Sequence, residues 1–159
     1  MRLFVTLAVA ALLLVPATGA KDFQEVSGAY TVMMDWSATT FDQRSKNMCV
    51  VDAVYSLVLS GDLSGSVDVR ATVNHKGFCY DFSLPATVHG KGSCLDASLG
   101  DKPGTFDVSV AFQHDAGIAT GQMTIQHATG ELAGLHGILH IEGGVGGGGE
   151  YSGKLHFAP

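Results

Sequence analysis

The sequence predicts an all-β fold: an antiparallel meander of about eight strands closed into a barrel, with a two-sheet β-sandwich as the alternative. Three observations predict it. Apolar and polar residues alternate with period two in successive segments. Short turn signals separate those segments. No stretch after residue 20 shows helical spacing. A sheet of that size removes its unpaired edges most simply by closing on itself.

The amino terminus is expected to lie outside this fold. Arg2 precedes an apolar run from Leu3 to Val15, and small residues follow up to Ala20. That order is the pattern of a secretory signal peptide. The run is too short to cross a bilayer, which takes about 20 residues. The expected organisation is a signal peptide over residues 1–20 and a single β-barrel domain over residues 21–159, secreted or periplasmic, with no membrane anchor after cleavage. Removing residues 1–20 deletes one charge, Arg2, so the formal charge moves from −6 to −7.

Each strand is justified by its parity. Tyr30, Val32, Met34 and Trp36 share one face. In the apolar run Val50 to Ser60, the larger residues Tyr55, Leu57 and Leu59 share a parity opposite Ser56 and Ser60. Val67 to Val73 alternates without a break. Phe78, Tyr80, Phe82 and Leu84 form a further face, as do Phe106, Val108, Val110 and Phe112. Met123 and Ile125 follow, then Leu139 and Ile141, then Tyr151, Leu155 and Phe157. Turns are expected at Ser60-Gly61-Asp62, Asn74 to Gly77, Gly100 to Gly104 and His114 to Gly117. The run Gly143 to Gly149 lacks the Lys-Ser/Thr and helix of a phosphate-binding loop. It reads as a flexible hairpin tip.

Composition excludes several function classes. Charged residues are only 15% of the chain, against about 25% in ordinary soluble domains. A chain of net charge −6 with no Lys/Arg cluster lacks the footprint of a nucleic-acid binder. A hydrophobic content of 46% is too high for a disordered chain. Three cysteines, Cys49, Cys79 and Cys94, allow three pairings. The shortest separation favours Cys79 with Cys94. With no C-x-x-C pair, a cysteine-rich zinc site is excluded. His136, His140 and His156 are expected on the outer wall without a recognised ligand spacing, so no metal or cofactor is expected.

The carboxy-terminal third carries the most specific pattern. It reads Thr129-Gly130-Glu131-Leu132-Ala133-Gly134-Leu135-His136-Gly137. Upstream stand Ser60-Gly61-Asp62-Leu63-Ser64-Gly65, and Gly104-Thr105-Phe106 followed by Gln113-His114. From about Gly28 to Phe157 this order resembles a bacterial domain-of-unknown-function family of small barrels, whose fold is similar to that of the allene oxide cyclases. Against that pattern, Pro85 to Ser98 looks like an insertion. Independently of that pattern, Gly130, Gly134 and Gly137 mark a chain reversal before a strand, which lets Leu132 and Leu135 tuck under the barrel end and gives Glu131 a structural role at the turn. The resemblance implies an eight-stranded barrel. It implies no catalytic residues. The wider group includes cyclases and isomerases of apolar substrates, so that activity is the alternative function it suggests.

Alternate residues of a small barrel face inward. Here the inward parity is apolar and aromatic, and His127 is the only ionisable residue sharing it, while Asp35, Asp52, Asp68, Asp81 and Asp107 fall outward. A lumen without paired carboxylates is poorly equipped for acid–base catalysis. It suits an apolar small-molecule ligand. The candidate ligand-binding residues are Tyr30, Trp36, Tyr55, Tyr80, Met123, His127 and Tyr151. The competing expectation is a non-catalytic module whose lumen is filled by its own side chains.

Overall fold

In a computed structural model, the described residues are 23–158 except Phe82. The signal-peptide expectation therefore lies outside the described residues. Nine strands follow one another: β1 (Gln24–Met34), β2 (Thr40–Ser45), β3 (Met48–Gly61), β4 (Leu63–Lys76), β5 (Ala86–Leu99), β6 (Lys102–Asp115), β7 (Ile118–Gly130), β8 (Leu135–Gly144) and β9 (Gly148–Phe157). Every pairing is antiparallel, and β1 pairs with both β9 and β3, which closes eight strands into a barrel.

The extra strand comes from a break in the first one. β1 runs along β3 until Met34 faces Tyr55, and β2 resumes along the same edge where Thr40 faces Asp52. Asp35 makes the break. Its carboxylate accepts the Ser37 N–H at 3.0 Å, the Ser37 hydroxyl at 2.6 Å and the Ala38 N–H at 3.2 Å. Such local bonds offer the backbone an alternative to the ladder. Trp36 thus sits in a turn rather than in a strand.

The stagger of the barrel follows from its register. From Ile141 the partners run one way through Gly121, Phe112, Val88 and Val73 to Val51. The other way they run through Tyr151 and Gly28 to Gly61. Both paths end on β3, ten residues apart (61 against 51). An offset of this kind tilts the strands by roughly 35–45° and leaves room for packed side chains or one small ligand.

The core follows the alternation along the strands. Inward positions of β3 (Cys49, Val51, Ala53, Tyr55, Leu57, Leu59) are all buried, as are Phe106, Val108 and Val110 of β6. One end of the barrel is packed solid. Leu63, Leu132, Leu135 and Leu155 there have no exposed surface, and Tyr151 lies over Gly28, where a Cβ would collide with its hydroxyl. Leu132 and Leu135 tuck under this end as the Gly-rich segment implies, and Gly130 and Gly134 take positive φ at the reversal between them. Exposed Glu131 contributes its backbone N–H, donated to the Pro103 carbonyl at 3.0 Å.

Two expectations about the middle of the chain are overturned. Phe78 to Leu84 is not a strand but a looped connection between β4 and β5, and Phe82 within it lies outside the described residues. Pro85 to Ser98 is not an insertion, because Ala86–Leu99 is β5, paired along its length with β4 and β6. Its inward positions are Ala86, Val88, Gly90, Gly92, Cys94, Ala97 and Leu99, so little hydrophobic contrast marks it. At Gly90 and Gly92 a Cβ would collide with the β4 backbone.

The disulfide is also corrected. Cys49 of β3 is joined to Cys79, and Cys94 is a buried free thiol. Cys79 and Cys94 cannot pair because Cys79 sits in the loop at one barrel end. Cys94 lies well along β5, packed against the position a Cβ would take at Gly65.

Candidate functional site

A cavity of about 450 Å³ occupies the other half of the lumen and opens at that barrel end. Its walls are the ends of strands facing away from the packed floor. Tyr30, Val32 and Met34 come from β1, Val51, Tyr55 and Leu57 from β3, and Phe112 and His114 from β6. The lumen is therefore packed at one end and open at the other.

The rim is aromatic. Trp36 and Phe41 lie nearly parallel, with ring centroids 6.4 Å apart, and Tyr80 packs on Phe41 at 5.0 Å. Tyr80 is carried by the β4–β5 loop, which is fixed in two ways. The Cys49–Cys79 bond ties it to β3. Gln43 of β2 accepts the Cys79 N–H at 2.9 Å and donates to the Gly77 carbonyl at 2.9 Å. The Gly-rich β8–β9 turn forms the facing rim. It is a hairpin tip as expected, but it is anchored: Val145 N–H bonds Gly117 O at 3.0 Å, and Val32 N–H bonds Gly147 O at 2.8 Å.

Polar groups in the cavity are few. Among the described residues no Lys, Arg, Asp or Glu lines it. His75 and His114 are both buried, with rings edge-to-face at 5.5 Å. Burial, and then the neighbouring His75, hold the His114 pKa below the ordinary histidine value, against a smaller opposite pull from Asp115. Burial alone pushes the Tyr30 and Tyr55 phenols up. The Tyr55 hydroxyl and His114 Nε2 are shut off from water and meet no hydrogen-bond partner.

The expected site residues divide into three groups. Tyr30, Trp36 and Tyr55 line the cavity, and exposed Tyr80 reaches its rim through Phe41. Met123 and Tyr151 face inward but belong to the packed half. Met123 has no exposed surface, and the Tyr151 hydroxyl is bound to Leu63. His127 is outside the lumen altogether. Between the Thr105–Thr129 and Asp107–Gln126 pairs a bulge opposes two residues to Phe106. His127 takes φ 52° there and turns out to Asp107, 3.3 Å away. Phe157 is likewise turned partly outward, under the Lys102 ammonium. Sequence reasoning missed His75 and His114. The signal was available, since each ends a clean alternation, at Val69-Ala71-Val73-His75 and Val108-Val110-Phe112-His114.

The sequence matches no family model. No curated protein matches it either. Among solved structures, a protein of unknown function from the DUF3224 family of Shewanella oneidensis MR-1 matches with a TM-score of 0.65. The two are 15% identical, over 87% of this chain and 99% of that one. The chain has the fold of that protein. The expected likeness to a domain-of-unknown-function family of small barrels is thereby borne out at the level of fold. The outer-wall histidines assemble nothing comparable to the cavity: His136 and His156 face each other across β8 and β9, with centroids 5.8 Å apart. Among the described residues no group of three or more metal-ligating side chains forms.

Proposed function

We propose that the protein is exported and binds an apolar small molecule in the open half of the barrel. The observation that carries this reading is the cavity of about 450 Å³, walled by aliphatic and aromatic side chains and lacking charged ones among the described residues. Ligand sites in soluble proteins are of this size and composition, with a few polar groups to orient the occupant. The amino-terminal pattern and the Cys49–Cys79 bond support an oxidising compartment.

Titration of the purified chain with a hydrophobic, environment-sensitive dye tests the binding, together with native mass spectrometry for co-purified ligand. Saturable one-to-one dye binding, lost on Leu57→Trp or Val51→Trp filling of the cavity, is the expected result. Dye binding that does not saturate, or that survives both substitutions, would remove the reading. Export is tested by the mass of the processed chain, which should begin at Lys21.

A further inference from the structure

The two ends of the barrel carry different side chains on their connections. At the packed end, the connections β3–β4, β5–β6 and β7–β8 turn Asp62, Asp101 and Glu131 to solvent, while the leucines beside them, Leu63, Leu99 and Leu132, are buried. At the open end the pattern is reversed. Trp36 in the β1–β2 turn, Met48 beside the β2–β3 turn, Phe78 and Tyr80 in the β4–β5 loop and Ile118 beside the β6–β7 turn are each 49–76% exposed. The β8–β9 turn adds half-buried Val145. Every connection at this end thus presents an apolar side chain around the cavity mouth.

Large apolar side chains gathered in the open mark a docking surface. Three observations point to lipid as its occupant. The side chains stand on the tips of separate connections around an opening, an uneven ring that a fluid surface can meet at every point and that offers no groove to a helix. Ring and cavity are also continuous, because Trp36 is exposed and lines the cavity, as does Phe41 on which it stacks. An apolar molecule passing from a bilayer into the lumen would stay among apolar groups throughout. Finally, Trp and Tyr are the side chains that settle at a membrane–water interface. Charge decides the kind of lipid. At this end Arg44, Lys46 and Lys76 stand against Asp35, Asp42, Asp81 and Asp115, and Arg44 is already held by Asp42 at 2.9 Å. No basic cluster is left to draw anionic headgroups.

We propose that the open end of the barrel docks shallowly on a zwitterionic lipid surface, with Trp36, Phe78, Tyr80 and Ile118 in the interface and the cavity mouth facing the lipid. The proposal extends the binding reading above by naming where the apolar ligand is exchanged. It stands on the exposed connections rather than on the cavity, so the two can fail separately.

Trp36 is the only tryptophan of the chain, so its emission reports from the ring alone. The processed chain, without the apolar run Leu3 to Val15, is mixed with phosphatidylcholine vesicles. The expected result is a blue shift of the emission that saturates with lipid, quenching by lipid brominated on its acyl chains, and flotation of the protein with the vesicles. Binding should persist in high salt and should not be strengthened by added phosphatidylglycerol. Met48→Ser/Phe78→Ser/Ile118→Ser removes three exposed side chains that do not line the cavity. It should weaken vesicle binding about tenfold or more. Thermal unfolding and dye binding in solution should match the parent, which shows that the variant folds. Leu95→Ser, which removes an exposed leucine toward the packed end of β5, should leave vesicle binding unchanged. The proposal is overturned by a chain that does not float with phosphatidylcholine, by flotation that salt abolishes, or by flotation unchanged in the triple variant. A chain that stays off vesicles but self-associates in sedimentation, and loses that association in the triple variant, would assign the ring to a second copy instead. Vesicle binding without saturable dye binding would fail the binding reading and leave the docking standing, and the converse result would fail the docking alone.

Discussion

The Tyr151 hydroxyl holds both backbone groups of Leu63: it accepts the N–H at 2.9 Å and donates to the C=O at 2.6 Å. It thereby joins β9 to the start of β4, across 88 residues, inside the packed end of the barrel. Leu63 begins a strand just past the β3–β4 turn, so its backbone groups have no ladder partner on that side. Tyr151→Phe keeps the ring and orphans two buried groups at about 1–3 kcal/mol each. The expected loss is about 2–4 kcal/mol of unfolding free energy with an unchanged urea m-value. Equilibrium urea denaturation measures it, and a midpoint equal to that of the parent would show that the pair contributes nothing. Dye binding should survive at low denaturant, because Tyr151 does not line the cavity.

The Cys49–Cys79 bond is expected to do two things at once. It closes a 30-residue separation, which on the chain-entropy account is worth about 3–4 kcal/mol. It also holds the loop that sets Tyr80 on Phe41 at the rim. The double variant Cys49→Ala/Cys79→Ala should therefore unfold at lower denaturant than the parent under non-reducing conditions, and the difference should vanish in a strong reductant. Dye affinity should fall severalfold in the variant. Unchanged affinity would show that the loop holds its place through Gln43 alone.

The strands legible in the sequence are those whose inward residues are large. β4 and β6 announce themselves because Val67 and Phe106 stand out against polar neighbours, whereas β3 is an apolar run whose parity shows only in its larger residues Tyr55, Leu57 and Leu59. β5 was hidden because the barrel needs small residues there: at Gly90 and Gly92 the β4 backbone comes too close for a Cβ. The aromatic run Phe78 to Leu84 imitated the missing strand, although its exposed Phe78 and Tyr80 belong to a loop tied by a disulfide. For the site, period-two parity found Tyr30 and Tyr55 and failed at His127, where one extra residue in the β7 bulge reverses inside and outside. Parity also says nothing about depth along the barrel. Met123 and Tyr151 face inward like Tyr55, but they fall in the filled half.

Cys94 should be inert while the protein is folded. It has no exposed surface, and burial, with the Asp96 carboxylate beside it, pushes its thiol up to about 12. The thiolate is the reactive form, so almost none is present at neutral pH. A thiol reagent should titrate no cysteine in the native chain and one in denaturant without reductant. Rapid labelling of the native protein would mean either that β5 opens locally or that the bond joins a different pair.

His114 makes stability fall on mild acidification. Its pKa is lowered in the folded state, by burial first and by His75 second. The unfolded chain therefore takes up a proton at about pH 6.5 that the folded chain refuses. Unfolded protein binds more protons in that window, so stability declines as pH falls through the ordinary histidine range and levels off below the folded-state value. Asp35, Asp81 and Asp96 are held low by hydrogen bonds, from Ser37, Ser83 and the Ser66 N–H respectively. Their contribution is lost only below the ordinary carboxylate range, which separates the two declines. In His114→Phe the upper decline should be flattened and the lower one kept, as read by urea midpoints from pH 8 down to about pH 2. An upper decline of full size in the variant would assign it to another group.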